Sequence, residues 1–270
     1  MSEYNYNYHD DNFSLDEAER YNLLIQIDKA TFSYAITDQD KLVACADMHP
    51  LDELTNPQEL LDLLSAKYKQ VVVGLPANGF TLIPQSLFSQ DHVTDFARFL
   101  DVQPGEKVSA QALDSHNTII YKTDSTIINA AEEFGLRNSV FSSKGWIMAI
   151  AQNNPADHDL YLNLNESQVE IVAFKGNVLR FYNRFAFQNN DELTYFIALV
   201  VNELGLQPAD VHIYLNGDID TDDKRIEHLA EFFGQVQLNR LQIVQIPAEI
   251  SAHQILSLAA LSLCASSGAV

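Results

Sequence analysis

An α/β fold made of two similar halves, with an α+β segment inserted between them, is what this sequence predicts. Three observations carry that expectation. Residues 23–36 alternate apolar, polar and β-branched types around a polar break near Lys29, the texture of a hairpin. Residues 160–173 repeat that texture. The two copies keep one spacing: Leu23 and Leu160, Ile25 and Leu162, Ile27 and Leu164, and Leu42 and Leu179 all stand 137 positions apart.

The first half continues with the turn Thr37-Asp38-Gln39-Asp40 and a third strand over 41–47. Asn56-Pro57 then predicts a helix start, with Pro57 at the first helical position and Leu60, Leu61, Leu63 and Leu64 on the inner face. Val71-Val72-Val73-Gly74-Leu75 follows as a strand apolar enough to be buried on both faces. The second half repeats this order. Lys175-Gly176-Asn177 is its turn, and 178–185 its third strand. Asn190 and Asp191 open a helix carrying Leu193, Phe196, Ile197, Val200, Val201 and Leu204, closed by Gly205. Residues 211–215 are the next strand. Each half thus reads strand, strand, strand, helix, strand. A helix over 224–233, a strand over 241–246 and a helix over 252–264 complete the second half. Between the halves, 107–114 and 117–122 read as a strand pair, with helices over 125–134 and 145–152.

This doubled pattern resembles the actin-like (ribonuclease-H-like) fold, whose halves run βββαβαβα. It is similar to the pilus-assembly platform proteins and the bacterial cell-division actin homologue, and to a bacterial family of this length with the same layout and no assigned function. The resemblance covers about 21–265. It divides the chain into an acidic N-terminal arm (1–20), a first actin-like half (21–88), an inserted subdomain (89–153) and a second half with a C-terminal helix (154–270).

The resemblance also implies where a nucleotide would lie. In that superfamily two hairpin turns hold phosphate through close backbone amides. Each carries Asp-x-Gly, glycine for approach and aspartate for metal-bound water. Here the corresponding triplets are Gln26-Ile27-Asp28 and Asn163-Leu164-Asn165. The leading acids are amides, both glycines are missing, and Glu166 adds an anion where phosphate would sit. The adenosine loop of the superfamily maps to Leu215-Asn216-Gly217-Asp218-Ile219-Asp220, with one glycine and two acids. Gln26, Asp28, Asn163, Asn165 and Gly217 are therefore expected to line a vestigial cleft, with no cofactor held and no catalytic residue. Helix capping explains the neighbouring segment as well: Asn216-Gly217 is a turn signal, and Thr221-Asp222-Asp223 an N-cap with acids favourable to the helix dipole.

Two local patterns imitate binding motifs. Gly74 to Gly79 has the glycine spacing of a phosphate loop, but Phe80 stands where the lysine belongs and Pro76 removes an amide. A strand-end turn is expected. Asp218, Asp220 and Asp222 match the first calcium-loop ligands, whereas Asp223 and Leu229 occupy the glycine and glutamate positions. The histidines, at 9, 49, 92, 116, 158, 212, 228 and 253, show no ligand spacing along the chain, so no metal is expected. No nucleophile elbow is present, and neither Cys45 nor Cys264 has an evident base beside it. Paired acids such as Asp10-Asp11 read as solvated faces, and Trp146 as core.

Charge narrows the function classes. With 16 Lys+Arg against 37 Asp+Glu the formal net charge is −21, which repels nucleic acid and anionic lipid. Only 10 glycines occur in 270 residues, too few to favour glycine-rich phosphate loops. The longest apolar stretch, 255–265, is broken by Ser257 and Ser262 and falls short of the roughly 20 residues of a membrane span. Two cysteines without redox spacing, and a start lacking basic and apolar regions, lead to an expected cytoplasmic location with buried thiols. Tyr4, Tyr6 and Tyr8 alternate with asparagine in the arm, read first as a free tail and second as an edge strand. The leading functional expectation is a degenerate actin-like protein without ATPase activity, a scaffold or adaptor for a basic protein partner. Its contact surface would be the arm around His9-Asp10-Asp11 or the inserted subdomain, with no direct nucleic acid and no membrane insertion. The alternatives are an actin-like ATPase or kinase with an atypical phosphate site, and a cleft for another small molecule.

Overall fold

The computed structural model describes residues 6–133 and 139–265. The chain forms two compact units, the first from Met1–Met148, Ile243–Pro247 and Ser257–Val270, the second from Ala149–Gln242 and Ala248–Leu256.

The first unit is built on a sheet of six strands. Its centre is the meander β2 (Asn22–Ile27), β3 (Thr31–Asp38) and β4 (Lys41–Pro50), all antiparallel. β1 (Asn7–His9) adds an edge strand beside β4. The N-terminal segment is thus tied down from Asn7 onward, which corrects the expectation of a free tail; Tyr4 lies outside the described residues. A 3-10 turn at Leu15–Arg20 follows, with Ser14 as its cap. On the other side of β2, β5 (Gln70–Leu75) and β9 (Ser139–Phe141) run parallel to it and complete the order β1-β4-β3-β2-β5-β9. Leu23, Ile25, Ile27, Phe32, Tyr34 and Val73 point into one core with Leu54, Leu63 and Leu64, as the alternating pattern demands.

The helix expected from Asn56 is instead two short ones, α1 (Asp52–Thr55) and α2 (Leu61–Ser65). Asn56 closes the first, and Pro57 lies in the break between them. The Glu53 carboxylate accepts the N–H groups of Gln58, Glu59 and Leu60, which supplies the acceptors a continuous helix would have provided.

The first unit also carries a three-stranded antiparallel sheet in the order β6-β8-β7, in which the expected strand pair, β7 (Glu106–Ala112) and β8 (Asn117–Asp124), is joined by β6 (Gly79–Pro84), a strand that precedes 89–153 and was not expected. Between β6 and β7 lie α3 (Val93–Ala97) and flanking 3-10 turns. α4 (Ser125–Glu133) follows β8, and Ile127 and Ala131 join the first unit's core. α5 (Lys144–Gln152) carries the chain into the second unit, with Trp146 fully buried.

The second unit repeats the meander as β10 (Asp159–Leu164), β11 (Gln168–Lys175) and β12 (Val178–Ala186). Gly176 and Asn177 make the β11–β12 turn, both at positive φ. α6 (Asn190–Glu203) is capped by the Asn189 side chain, and Gly205 ends it at φ +69°. β13 (His212–Gly217) lies parallel to β10, α7 (Lys224–Ala230) follows, and β14 (Gln235–Leu238) lies parallel to β13. The order is β12-β11-β10-β13-β14. The last strand is therefore at 235–238 rather than the expected 241–246, where Gln245 makes only an isolated bridge to Lys41. The physical cause is pairing with β13 and packing on the core. Val236 and Leu238 alternate into the core, and the Asn239 amide then bonds Leu215 O and ends the ladder. α8 (Ala252–Ala259) continues into a 3-10 turn, Ala260–Cys264.

Candidate functional site

The two hairpin turns have the same construction. Asp28 N–H bonds Thr31 O in the first, at 2.8 Å, and Asn165 N–H bonds Gln168 O in the second, at 3.0 Å. Each is a two-residue connection, Lys29-Ala30 and Glu166-Ser167, with no residue at positive φ. Such turns need no glycine.

Three of the turn amides are bonded to the side chains that open the turns. Asp28 Oδ1 accepts the Lys29 N–H at 2.7 Å. Asn165 Oδ1 accepts both the Ser167 and Gln168 N–H groups, at 3.0 and 2.7 Å. In each turn the side chain that opens it satisfies, from inside, donors that a phosphate cradle would need to present outward.

Behind each turn runs a polar row across the meander, again 137 positions apart. In the first unit Gln26 lies opposite Ser33, whose hydroxyl donates to the Asp47 carboxylate. Burial raises the pKa of Asp47, with Ser33 opposing the shift. Gln26 Oε1 is buried without a hydrogen-bond partner. In the second unit Asn163 lies opposite Glu170, and Nδ2 donates to Oε2 at 3.3 Å. Glu170 also accepts the Tyr182 hydroxyl at 2.8 Å, and Arg184 Nε stands 3.5 Å away. Position 26 thus carries an unpartnered amide oxygen, whereas the equivalent Asn163 is enclosed in a charged network.

Asn163, Asn165 and Gly217 come together at the carboxyl end of β10 and β13. Gly217 pairs with Leu164, and Asp218 N–H bonds Leu164 O at 2.8 Å. Asn216, fully buried, ties the strands by donating Nδ2 to Leu162 O at 3.0 Å. Gln26 and Asp28 form their own group at the end of β2 in the first unit.

The loop after Gly217 closes on itself. Arg225 binds Asp223 through Nε and Nη2 and donates Nη2 to Asp218 O at 2.6 Å. Arg225 thus pairs with Asp223, the residue at the glycine position of the calcium-loop spacing, while Asp220 Oδ1 accepts from the Gln254 amide at 3.2 Å. Asp223 is the N-cap of α7, accepting the Arg225 N–H at 2.7 Å. The cap thus falls two residues later than Thr221, because the side chain that reaches the first-turn amide is that of Asp223. The Gly74–Gly79 segment leads into strand β6, with Phe80 opposite Tyr121, whereas a phosphate loop requires a helix there. Cys45 and Cys264 are buried and form no disulfide with each other, and burial raises their thiols to about 12 and about 11.

At the amino end of the same two strands lies a group with no signal in linear spacing. Asp159 opens β10 and His212 opens β13, in direct parallel register. His158 precedes Asp159, and its carbonyl accepts the His212 N–H at 3.2 Å. Among the described residues these three form a cluster whose donor atoms all lie within 4.8 Å of one another. Sequence scanning misses it because 53 residues separate the halves of the cluster, and only parallel pairing of β10 with β13 joins them.

No helix among the described residues is long and apolar enough to cross a membrane. No curated protein matches the sequence. Among solved structures, the chain is similar to a Bacteroides thetaiotaomicron protein described as having an actin-like ATPase fold and unknown function. That pair is 19% identical with a TM-score of 0.77, covering 93% of this chain and 99% of the other. It is also similar to a chain of the PilM–PilN type IV pilus biogenesis complex, at 12% identity and TM-score 0.62, covering 90% and 97%. Both likenesses establish the actin-like ATPase fold. The meander followed by a parallel strand and the altered turns lie within residues 10–236, which match one family model throughout, so the chain belongs to the family described as protein of unknown function DUF3822.

Proposed function

We propose that this protein is an actin-like scaffold or adaptor that neither hydrolyses ATP nor holds nucleotide phosphates, and that it engages a protein partner of basic character. The observation that carries this is the internal satisfaction of the turns. Asp28 and Asn165 occupy the amides of Lys29, Ser167 and Gln168. A phosphate would have to displace those bonds, and Glu166 would oppose it with a like charge. The net charge of −21 favours association with a basic surface through long-range attraction. The PilM relative was solved in complex with PilN, an instance of this fold bound to a protein. In the inserted region Phe99 is 80% exposed, an apolar side chain available for a contact.

The test is a thermal-shift titration of the full chain with ATP and ADP, each with and without magnesium. The expected result is an unchanged melting temperature at millimolar nucleotide. A magnesium-dependent rise would establish binding by linkage and overturn the proposal in favour of an atypical ATPase or kinase.

A further inference from the structure

We infer that His158, Asp159 and His212 form a binding site for a divalent transition cation of the Zn2+ class. The site lies at the end of β10 and β13 opposite to the turns and Gly217, and it does not depend on the absence of nucleotide binding.

The carboxylate is the anchor. Asp159 is only 6% exposed, and its Oδ1 has no hydrogen-bond partner. A buried carboxylate oxygen left without a donor is costly, and native proteins supply it with a proton donor or a cation. The other oxygen is held in place. Oδ2 accepts the Ala156 N–H at 3.0 Å and the Tyr161 hydroxyl at 3.3 Å. Those two bonds fix the carboxylate with Oδ1 turned towards the imidazoles, the outer-shell support that ordered metal ligands require.

The imidazoles are spaced for coordination. His212 Nδ1 lies 3.5 Å from Asp159 Oδ1, and His158 Nε2 lies 3.9 Å from it. These separations exceed a good hydrogen bond. They match the roughly 3.3–3.5 Å between neighbouring ligands that bonds of about 2.0–2.1 Å impose around a tetrahedral zinc ion, with the longer one slightly open. The two rings stand edge to face, 4.6 Å between centroids at 83°, and the three donor atoms all lie within 4.8 Å of one another. One carboxylate and two imidazoles form a donor set suited to Zn2+, Co2+ or Ni2+ and poorly suited to Ca2+ or Mg2+, which take oxygen ligands. The His158 and His212 side chains are 44% and 32% exposed, so the ion has a path in and a fourth position remains open to water.

The experiment uses the full chain stripped with chelator, titrated with Zn2+ by calorimetry and with Co2+ by visible absorption. One ion per chain is expected, with a ligand-field band from Co2+ bound by nitrogen and oxygen. His158→Ala and His212→Ala each alter a partly exposed side chain, and each is expected to weaken binding at least about tenfold. Tyr161→Phe removes only the hydroxyl that positions the carboxylate; it is expected to weaken binding while leaving the melting temperature of the metal-free chain nearly unchanged. Absence of stoichiometric binding to the wild type would overturn the proposal. So would unchanged affinity and an unchanged Co2+ spectrum in the double variant of His158 and His212, since the ion would then sit elsewhere. Circular dichroism of each metal-free variant confirms folding before titration.

Discussion

Gly217 stands so close to Leu164 that a Cβ at position 217 would lie 2.1 Å from the Leu164 carbonyl oxygen and 2.9 Å from Asn163 Oδ1. Its φ of +87° is also one that side-chain-bearing residues rarely adopt. Close approach of the strands and a positive φ thus account for the glycine that ends β13.

Substitution separates the two demands on that glycine. Gly217→Ala should destabilise the protein by about 2–3 kcal/mol, through backbone strain and a clash with a carbonyl that cannot move without breaking the β10–β13 pairing. Gly176→Ala is the control. Its φ is +55°, nothing lies within 4 Å of the added carbon, and a cost of about 1 kcal/mol is expected. Urea unfolding midpoints of the two variants measure the difference; equal losses would show that close approach contributes nothing.

Restoring the missing motif should not restore chemistry. With Gln26→Asp and Asp28→Gly the first triplet becomes an Asp-x-Gly, yet the amides of Ser167 and Gln168 stay bound to Asn165. No phosphate release from ATP is expected in a coupled assay. Turnover in this variant would mean that the remainder of a nucleotide site is intact.

Acid stability should depend on Glu106. The Gln103 N–H, Lys122 and the Asn78 amide, in that order, favour its charged form and hold its pKa at about 2, below an ordinary 4.5. A depressed carboxyl pKa stabilises the folded state above the ordinary value, and that contribution is lost as pH falls from about 4.5 towards about 2. Glu106→Gln should therefore lower the melting temperature at pH 7, with the gap to wild type closing below pH 4.5. A gap that widens on acidification would contradict this assignment.

The α7 cap gives a further test. Asp223→Ala removes the acceptor for the Arg225 N–H and frees its guanidinium, which also bonds Asp218 O. A loss of about 1–2 kcal/mol is expected, whereas Thr221→Ala, outside the cap, should stay within about 0.5 kcal/mol. Thermal unfolding of both variants decides which residue caps the helix.

The thiols should be silent. Burial raises Cys45 to about 12 and Cys264 to about 11, so neither presents thiolate near neutrality. Iodoacetamide at pH 7.5 should label neither in the native chain and both in denaturant, a result read by intact mass.

By itself the sequence determined the strand content of both meanders and their spacing of 137, because alternation in a half-buried strand is dictated residue by residue. It also determined that neither 26–28 nor 163–165 reads Asp-x-Gly, since that is a matter of identity. Only the tertiary structure decided the rest. Pro57 marks a break because Glu53, several residues upstream, caps the amides beyond it. β14 falls at 235–238 because Val236 and Leu238 pair with Ile213 and Leu215 of β13 and pack against the core. His158, Asp159 and His212 meet because two distant segments run parallel in register, a relation that no local pattern of residues encodes.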